Sequence, residues 1–507
     1  MHSLRRLRSI EILPISVRFK GHSNDHWSKR DNKLGTVRAL KHFDDFYKTV
    51  YGKSWNDIRK ALLQEKSKYV AVVNNFSDNE RICTEMECLG AIDLRAIIKV
   101  QKEILDESDK GKSKKRLKEL NRKKMQREMD SFISQQQLSE LESVYPAETP
   151  AGKQSLNELI DEEKFHTTEE EGLKPVSLKS ISANAEIEYD TSRIISASSS
   201  LSVSSLQEFV PVTKLKGLDD WVLESEHYGY YSKGEDFTIS IEEDDSFSIP
   251  EQLKLYTFEP HNFSRFRSSK RGTTGVLDYY LMDGGSILPV LALDLQLNDK
   301  FLDICAAPGG KSLVAIETLL PAMAVLNDVL PSRVTRIKEV IGTYVSNIGQ
   351  WQKKIAVTTK DAREIDDMGL FNKILVDVPC TNDRHSLHVN DGNWFRNEYI
   401  RERLKLPELQ SEILVNALKL VAPGGTVVYS TCSLSPIQNE GVVQMSLMKA
   451  FEEANVVAVV KDLSEGLKPF KYLYDFGKEK LKYGHLVIPT MGNNWGPMYF
   501  CKIMRIQ

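Results

Sequence analysis

Two cysteines stand where covalent chemistry is feasible. Cys380 closes the run Asp377-Val378-Pro379-Cys380, and Cys432 lies in Ser430-Thr431-Cys432-Ser433. Each ends a strand-like apolar run, "NKILVDVP" at 372–379 and "GTVVYSTC" at 425–432. Neighbouring parallel strands lie about 4.8 Å apart, so on adjacent strands both thiols project into one cleft. A lone cysteine beside a sheet is usually an inert core residue. Two, each past a strand end, suit a specific substitution. C5 of a pyrimidine is a poor nucleophile, but a thiolate that adds to C6 creates an enamine-like species whose C5 reacts. The C5 proton must then leave and the thiol be expelled. One cysteine can attack while the other assists release. A carboxyl group at Asp377 would hydrogen-bond the base, which must first leave its stack.

A second constellation precedes the cysteines. The strand-like "KFLDICA" at 300–306 runs into Ala306-Ala307-Pro308-Gly309-Gly310-Lys311, where a helix should start. Small residues let the backbone approach a ligand closely, and free amides at a helix start receive negative groups. A Walker loop would need Gly at position 305, which is Cys305, and no GxGxxG is present. What remains is a nucleoside-type site with a ladder of acids: Asp303 in the first strand, Asp328 ending the second, Asp361 the third and Asp377 the fourth. A carboxylate at Asp328 is placed to accept both ribose hydroxyls. A single strand-end acid is often only a helix cap; four in succession after a glycine-rich loop point to a site. Lys311 serves either the cofactor or the catalytic group, or simply faces solvent.

These residues need a parallel sheet to position them. Five strand-like runs, at 300–306, 322–328, 354–361, 372–379 and 425–432, alternate with helical segments, and late strands follow near 486–489 and 497–506. In such a doubly wound sheet, ligands gather at the carboxyl ends of the strands. The 507 residues predict about two to four domains. From Lys33 to Val100 the pattern is helical, with Leu40, Phe43, Phe46, Tyr47, Val50, Trp55, Ile58, Leu62 and Leu63 at three- and four-residue steps. A basic run follows, with 12 basic against 5 acidic residues over 99–127. It reads equally as a solvated helix or an RNA-contacting arm.

The net charge of −3 is a cancellation. Residues 155–255 carry 22 acidic and 8 basic side chains, a net of −14, so the remainder carries +11. Together with the low-complexity "ISASSSLSVSSL", this acidity predicts disorder over much of the insertion. Up to Arg30 there are seven basic and two acidic residues with hydrophobics interleaved, the composition of a mitochondrial targeting segment. No apolar run is long enough to cross a membrane. Six scattered cysteines make neither a disulfide framework nor a zinc site, and no metal is expected.

The motifs "DICAAPGGK" at 303–311, "VDVPC" at 376–380 and "VVYSTCSLSPIQNE" at 427–440 closely resemble those of the Sun-domain (Fmu-like) RNA cytosine-5 methyltransferases. The resemblance runs from about Leu255 to Gln507. In place of the Ser-Gly that follows Pro-Cys in most members, "PCTNDRHSLH" at 379–388 looks like the mitochondrial ribosomal-RNA member. The segments "YYLMDGGSILPVLAL" at 279–293, "NWGPMYFCK" at 494–502, "HFDDFYKTVYGKSWNDIRKALL" and "YVAVVNNF" at 69–76 also resemble it. The resemblance implies a Rossmann-like class I fold with a doubly wound, mostly parallel seven-stranded sheet and an N-terminal helical extension. It implies S-adenosylmethionine as donor, Cys432 as nucleophile, Cys380 as the residue of product release, and Asp377 at the target base with Lys311. Cofactor contacts would fall on Cys305, Ala306, Ala307, Pro308, Gly309, Gly310, Lys311, Asp328, Arg333, Asp361 and Asp377. The implied setting is the mitochondrial matrix and mitoribosome assembly, with rRNA and a helical-repeat protein of the mitochondrial transcription-termination-factor family as partners. A mitochondrial tRNA substrate and a catalytically idle assembly scaffold are the alternatives. The expected organisation is a targeting segment at 1–32, a helical segment at 33–98, a charged, largely disordered insertion at 99–253 and a catalytic domain at 254–507.

Overall fold

The computed structural model describes residues 34–105, 237–345, 353–477 and 481–507. The expected targeting segment and most of the charged insertion lie outside these residues. The chain divides into two compact units. The described part of one is a helix over 94–105 and the short turn Lys468–Tyr472. The other unit, formed by residues up to Ile92, 227–467 and 473–507, holds both sheets and all the residues discussed below.

Its first elements are helix α1 (Gly35–Tyr51) and helix α2 (Trp55–Leu63). On α1 the buried stripe is Ala39, Phe43, Phe46 and Tyr47 with His42, and on α2 it is Trp55, Ile58, Ala61 and Leu62. Both stripes join the main core. Strand β1 (Tyr69–Val73) and helix α3 (Asn79–Cys88) come next. The helical expectation for 33–100 is corrected here. "YVAVV" is a continuous apolar run, and periodicity cannot separate such a run from a buried helix; its β-branched residues pair as a strand instead.

The later strands are β2 (Ile241–Glu243), β3 (Leu255–Thr257), β4 (Tyr279–Asp283), β5 (Lys300–Asp303), β6 (Met323–Asn327), β7 (Ile355–Thr358), β8 (Phe371–Asp377), β9 (Val421–Thr431), β10 (Ala458–Asp462), β11 (His485–Val487) and β12 (Met498–Arg505). The helices between them are α4 (Leu288–Ala292), α5 (Gly310–Glu317), α6 (Pro331–Tyr344), α7 (Asp383–His388), α8 (Ile400–Leu420) and α9 (Val442–Ala454).

Strand β1 pairs antiparallel with β3 and β4 in a small sheet. The large sheet runs β2-β10-β12-β9-β8-β5-β6-β7, with β11 added on β12. It is a Rossmann-like mixed sheet. Strands β9, β8, β5, β6 and β7 pair in parallel, whereas β12 runs antiparallel to β9, β10 and β11. Among the described residues the sheet has nine strands, not the seven expected. Two of the nine, β2 and β11, are only three residues long. Strand β2 lies in the stretch expected to be disordered, yet it pairs in parallel with β10 through Val460 opposite Ile241. The sequence reading overlooked β10 itself, a short strand with only two fully buried residues, Val459 and Val460.

The core is continuous from the large sheet to the N-terminal helices. Phe43 is 1 % exposed and stacks on Tyr47 at 5.0 Å and edge-on to Phe395 at 5.0 Å. Phe43→Ala should cost about 3–5 kcal/mol, read as a lower urea midpoint with an unchanged denaturant slope. A cost below 1 kcal/mol would show that α1 is not part of this core.

Candidate active site

The acids expected at strand ends do stand there. Asp377 is the last residue of β8 and Asp303 the last of β5, Asp328 directly follows β6, and Asp361 lies just past β7. Because the sheet order is β8-β5-β6-β7, they form a row along the carboxyl edge of four adjacent strands. Their environments differ. Asp303 is fully buried, and burial outweighs the opposing Ser312 hydroxyl, which donates at 2.5 Å, leaving its carboxyl raised to about 7. That bond pins the start of α5 to β5. Asp361 is gripped by Arg363, whose Nη2 lies 2.7 Å from Oδ2. This hydrogen bond holds its carboxyl below the usual range. Asp328 is 2 % exposed; Oδ1 accepts from the Leu330 amide at 3.2 Å, but Oδ2 has no hydrogen-bond partner. The Arg333 Nε is 3.5 Å from Oδ2 and balances its charge.

The loop after β5 is held from several sides. The Ala306 amide donates to Asn327 O at 2.7 Å, and the Asn327 side chain donates to Ile304 O and Lys360 O. One buried amide therefore ties the ends of β5, β6 and β7. Arg333 Nη2 donates to Ala307 O at 3.2 Å. Burial, then the acids Asp303, Asp328 and Asp377, push the Cys305 thiol well above its ordinary range, so it is a neutral wall. Gly309 caps α5 at φ +108°, a left-handed conformation that glycine adopts freely. At Gly310 the reason is space: a Cβ would lie 3.0 Å from the Tyr280 hydroxyl.

Tyr280 belongs to β4, so the small sheet overlies the first turn of α5. The turn that follows β1 grips the other end of that helix. The Asn75 amide donates to Glu317 Oε2 at 2.8 Å, and its side chain donates to Glu317 O at 2.6 Å. Neither Tyr280 nor Asn75 was flagged in the sequence, where each is one polar residue in an apolar or loop segment.

The catalytic candidates converge. In the pairing of β8 with β9, Asp377 lies opposite Ser430. Just beyond that pair, Cys380 Sγ and Cys432 Sγ are 3.0 Å apart, and the Cys432 amide lies 3.3 Å from Cys380 Sγ. Ser430 Oγ donates to Asp377 Oδ1 at 2.7 Å, and Lys311 Nζ donates to Oδ2 at 2.8 Å. Burial by itself would lower the Lys311 ammonium; the carboxylate of Asp377 outweighs it, and the net shift is upward. Lys311 therefore faces the site and not solvent. The Cys432 thiol sits well above its ordinary range, first through its hydrogen bond with Cys380 and then through burial. Two of the three basic side chains that follow Cys380 are engaged within the protein. Arg384 donates to Gly496 O and Asn494, and His388 bonds Leu62 O at 2.8 Å, while His385 is exposed.

An S-adenosyl group fits this edge. Gly309 brings bare backbone to the start of α5, and Asp328 Oδ2, which accepts no hydrogen bond, supplies the buried acceptor that a ribose hydroxyl requires. A Rossmann-like sheet with this helix start and a two-thiol cleft defines a cofactor-dependent group transferase. The family model described as "16S rRNA methyltransferase RsmB/F" matches residues 290–472. The 5-cytosine rRNA methyltransferase nsun-4 of Caenorhabditis elegans is 33 % identical over 483 residues, covering 94 % of this chain and 93 % of that protein. The 5-cytosine rRNA methyltransferase NSUN4 of Mus musculus is 42 % identical, over 52 % of this chain and 69 % of that protein. A mitochondrial tRNA (cytosine(34)-C(5))-methyltransferase of Danio rerio is 35 % identical, over 52 % of this chain and 70 % of that protein. The chain belongs to the Sun-domain (RsmB/Fmu-like) family and is an S-adenosylmethionine-dependent RNA (cytosine-5)-methyltransferase.

If Asp328 is the ribose acceptor, Asp328→Ala removes hydrogen bonds to a charged group worth about 1.5–3 kcal/mol. Affinity for S-adenosylmethionine should fall by about 10- to 100-fold, measured by calorimetry. An unchanged affinity would remove Asp328 from the cofactor site.

Proposed function

We propose that this chain methylates C5 of a cytosine in mitochondrial small-subunit rRNA and so acts in mitoribosome assembly. The observation that carries the reading is the pair of thiols 3.0 Å apart beside Asp377. The rRNA assignment is supported by two of the relatives, which are named as rRNA methyltransferases and include the one matched over nearly its whole length. The proposed compartment is the matrix, with residues 1–32 as the targeting segment. The proposed partner is the helical-repeat protein of the transcription-termination-factor family. Residues 99–253, apart from the sheet strand Ile241–Glu243, would be an insertion outside the catalytic domain. Among the described residues, no helix is long and apolar enough to cross a membrane.

In this reading the extruded cytosine stacks into the cleft with Asp377 along its N3 and N4 edge. Lys311 and Ser430 hold that carboxyl in one orientation through a bond to each oxygen. Cys432 Sγ, as thiolate, adds to C6, and the electron pair moves to C5. S-Adenosylmethionine, when bound, supplies the methyl group. Cys380, as thiolate, then takes the C5 proton, the freed pair re-forms the C5–C6 double bond, the C6–S bond breaks, and the thiolate of Cys432 leaves. Cys305, Ala306, Ala307, Pro308, Gly309 and Gly310 would line the cofactor, with Asp328, Arg333 and Asp361 at the neighbouring strand ends.

In this mechanism Cys432→Ala abolishes methyl transfer. Cys380→Ala still attacks but cannot release, and it accumulates a covalent RNA–protein adduct seen as a slow band on a denaturing gel. Full methylation by Cys432→Ala would overturn the assignment. Bisulfite sequencing of mitochondrial rRNA and tRNA after depletion tests the substrate: loss at an rRNA cytosine is expected, and loss confined to a tRNA would favour the tRNA reading.

The raised Cys432 thiol sets a pH dependence. Its thiolate is the reacting form and is scarce at neutral pH. Raising the pH increases that fraction, so single-turnover methyl transfer should climb by about tenfold per pH unit above neutrality. A flat profile over that range would mean that thiol ionisation does not limit attack.

A further inference from the structure

We propose that Asp383 is a positioning residue that sets the two thiols against each other, and that helix α1 governs it through Tyr47. The proposal rests on the cysteine roles given above.

The parallel ladder fixes Asp377 against Ser430, but it ends there. Cys380 and Cys432 lie beyond it, on separate loops. Something else must hold those loops in register, since a shift of about 1 Å can cost a hundredfold in rate. Asp383 sits where that is done. Its own amide lies 3.3 Å from Cys432 O. Its side chain is fully buried, and one carboxylate receives donors from three places. Thr381, next to Cys380, donates its hydroxyl to Oδ1 at 2.7 Å. On the other loop, the Leu434 amide donates to Oδ2 at 2.7 Å and the Ser433 hydroxyl to Oδ1 at 3.2 Å. From α1, the Tyr47 hydroxyl donates to Oδ2 at 2.6 Å. An ionised carboxylate only accepts and has about four lone-pair sites, so these four donors fill it. An amide in its place would turn two hydrogens toward one pair of these groups, and the Thr381 and Ser433 hydroxyls would have to reverse from donors to acceptors to receive them.

The α1 side is built to aim one hydroxyl. Tyr47 is 1 % exposed, its ring stacked on Phe43 and edge-on to Trp55 at 5.3 Å. Nearby, the Tyr51 hydroxyl donates to Leu434 O at 2.6 Å. The N-terminal extension, outside residues 290–472, thus forms the outer wall of both cysteine loops.

This arrangement has a distinctive kinetic consequence. Attack needs only Cys432, whereas release needs Cys380 to reach the C5 proton while Cys432 is still bonded to C6. Loosening the loops therefore slows release more than attack, and the covalent adduct builds up. Simple loss of folded protein would lower adduct and product together.

The test uses the full chain with S-adenosylmethionine and a fragment of mitochondrial small-subunit rRNA. Tyr47→Phe keeps the ring packing and should lower kcat about tenfold, leave KM for RNA within about twofold, and accumulate adduct. Asp383→Asn should lower kcat further, by about a hundredfold. The double variant should be no worse than Asp383→Asn, because both act through one carboxylate. If Asp383→Asn does not fold, Tyr47→Phe decides. Wild-type turnover without adduct in Tyr47→Phe overturns the proposal. Cys380→Ala is run beside them. If it traps adduct while Tyr47→Phe behaves as wild type, only the Asp383 link fails. If it traps none, the cysteine roles fail and this proposal fails with them.

Discussion

The parallel pairing of β8 with β9 places Asp377 opposite Ser430, and the site follows from that register. A slip of one residue would turn Asp377 to the other face of the sheet and carry the two cysteines apart. The pairing is secured on its far side as well. Strand β12 runs antiparallel along β9 from Thr426 to Thr431. The buried Tyr429 hydroxyl donates to Gln438 O at 2.5 Å. Both neighbours of β9 are thus committed, and its carboxyl end has little freedom.

The cofactor half obeys a different constraint, that of charge taken out of water. Burying an isolated carboxylate is costly unless it is paired, hydrogen-bonded or neutral. The four acids meet that condition in four ways. Asp303 approaches neutrality and takes a hydroxyl, Asp361 pairs with Arg363, Asp377 is shared by Lys311 and Ser430, and Asp328 pairs with Arg333 and takes the Leu330 amide. The small sheet closes over this edge through Tyr280, and the turn after β1 clamps the far end of α5 through Asn75. Helix α5 is consequently fixed at both ends by segments remote in sequence, Tyr280 on a strand and Asn75 in a turn.

Hydrophobic packing joins the two halves. The stripe on α1 and α2 shares one core with the large sheet, and only with the helices in place can their polar edges meet the cysteine loops. The apolar side of α1 supplies attachment, and the hydroxyls of Tyr47 and Tyr51 supply orientation.

The local content of the sequence determined a good deal. The sequence placed the glycines and small residues of 306–310 at a helix start, the acids at successive strand ends, and the two thiols just past neighbouring strands. Each signal lies within a few residues, where covalent connectivity already limits geometry. Tertiary structure decided what depends on distant partners. It made "YVAVV" a strand, because a continuous apolar run takes its conformation from its neighbours. It recruited Ile241–Glu243 to the large sheet through pairing with Val460 and its neighbours. It turned Arg384 and His388 toward the protein. Asp383 shows the difference most plainly. In sequence it is one more acid after a cysteine. Its role exists only where donors from 47, 381, 433 and 434 converge, and no local pattern encodes a contact across 336 residues of chain.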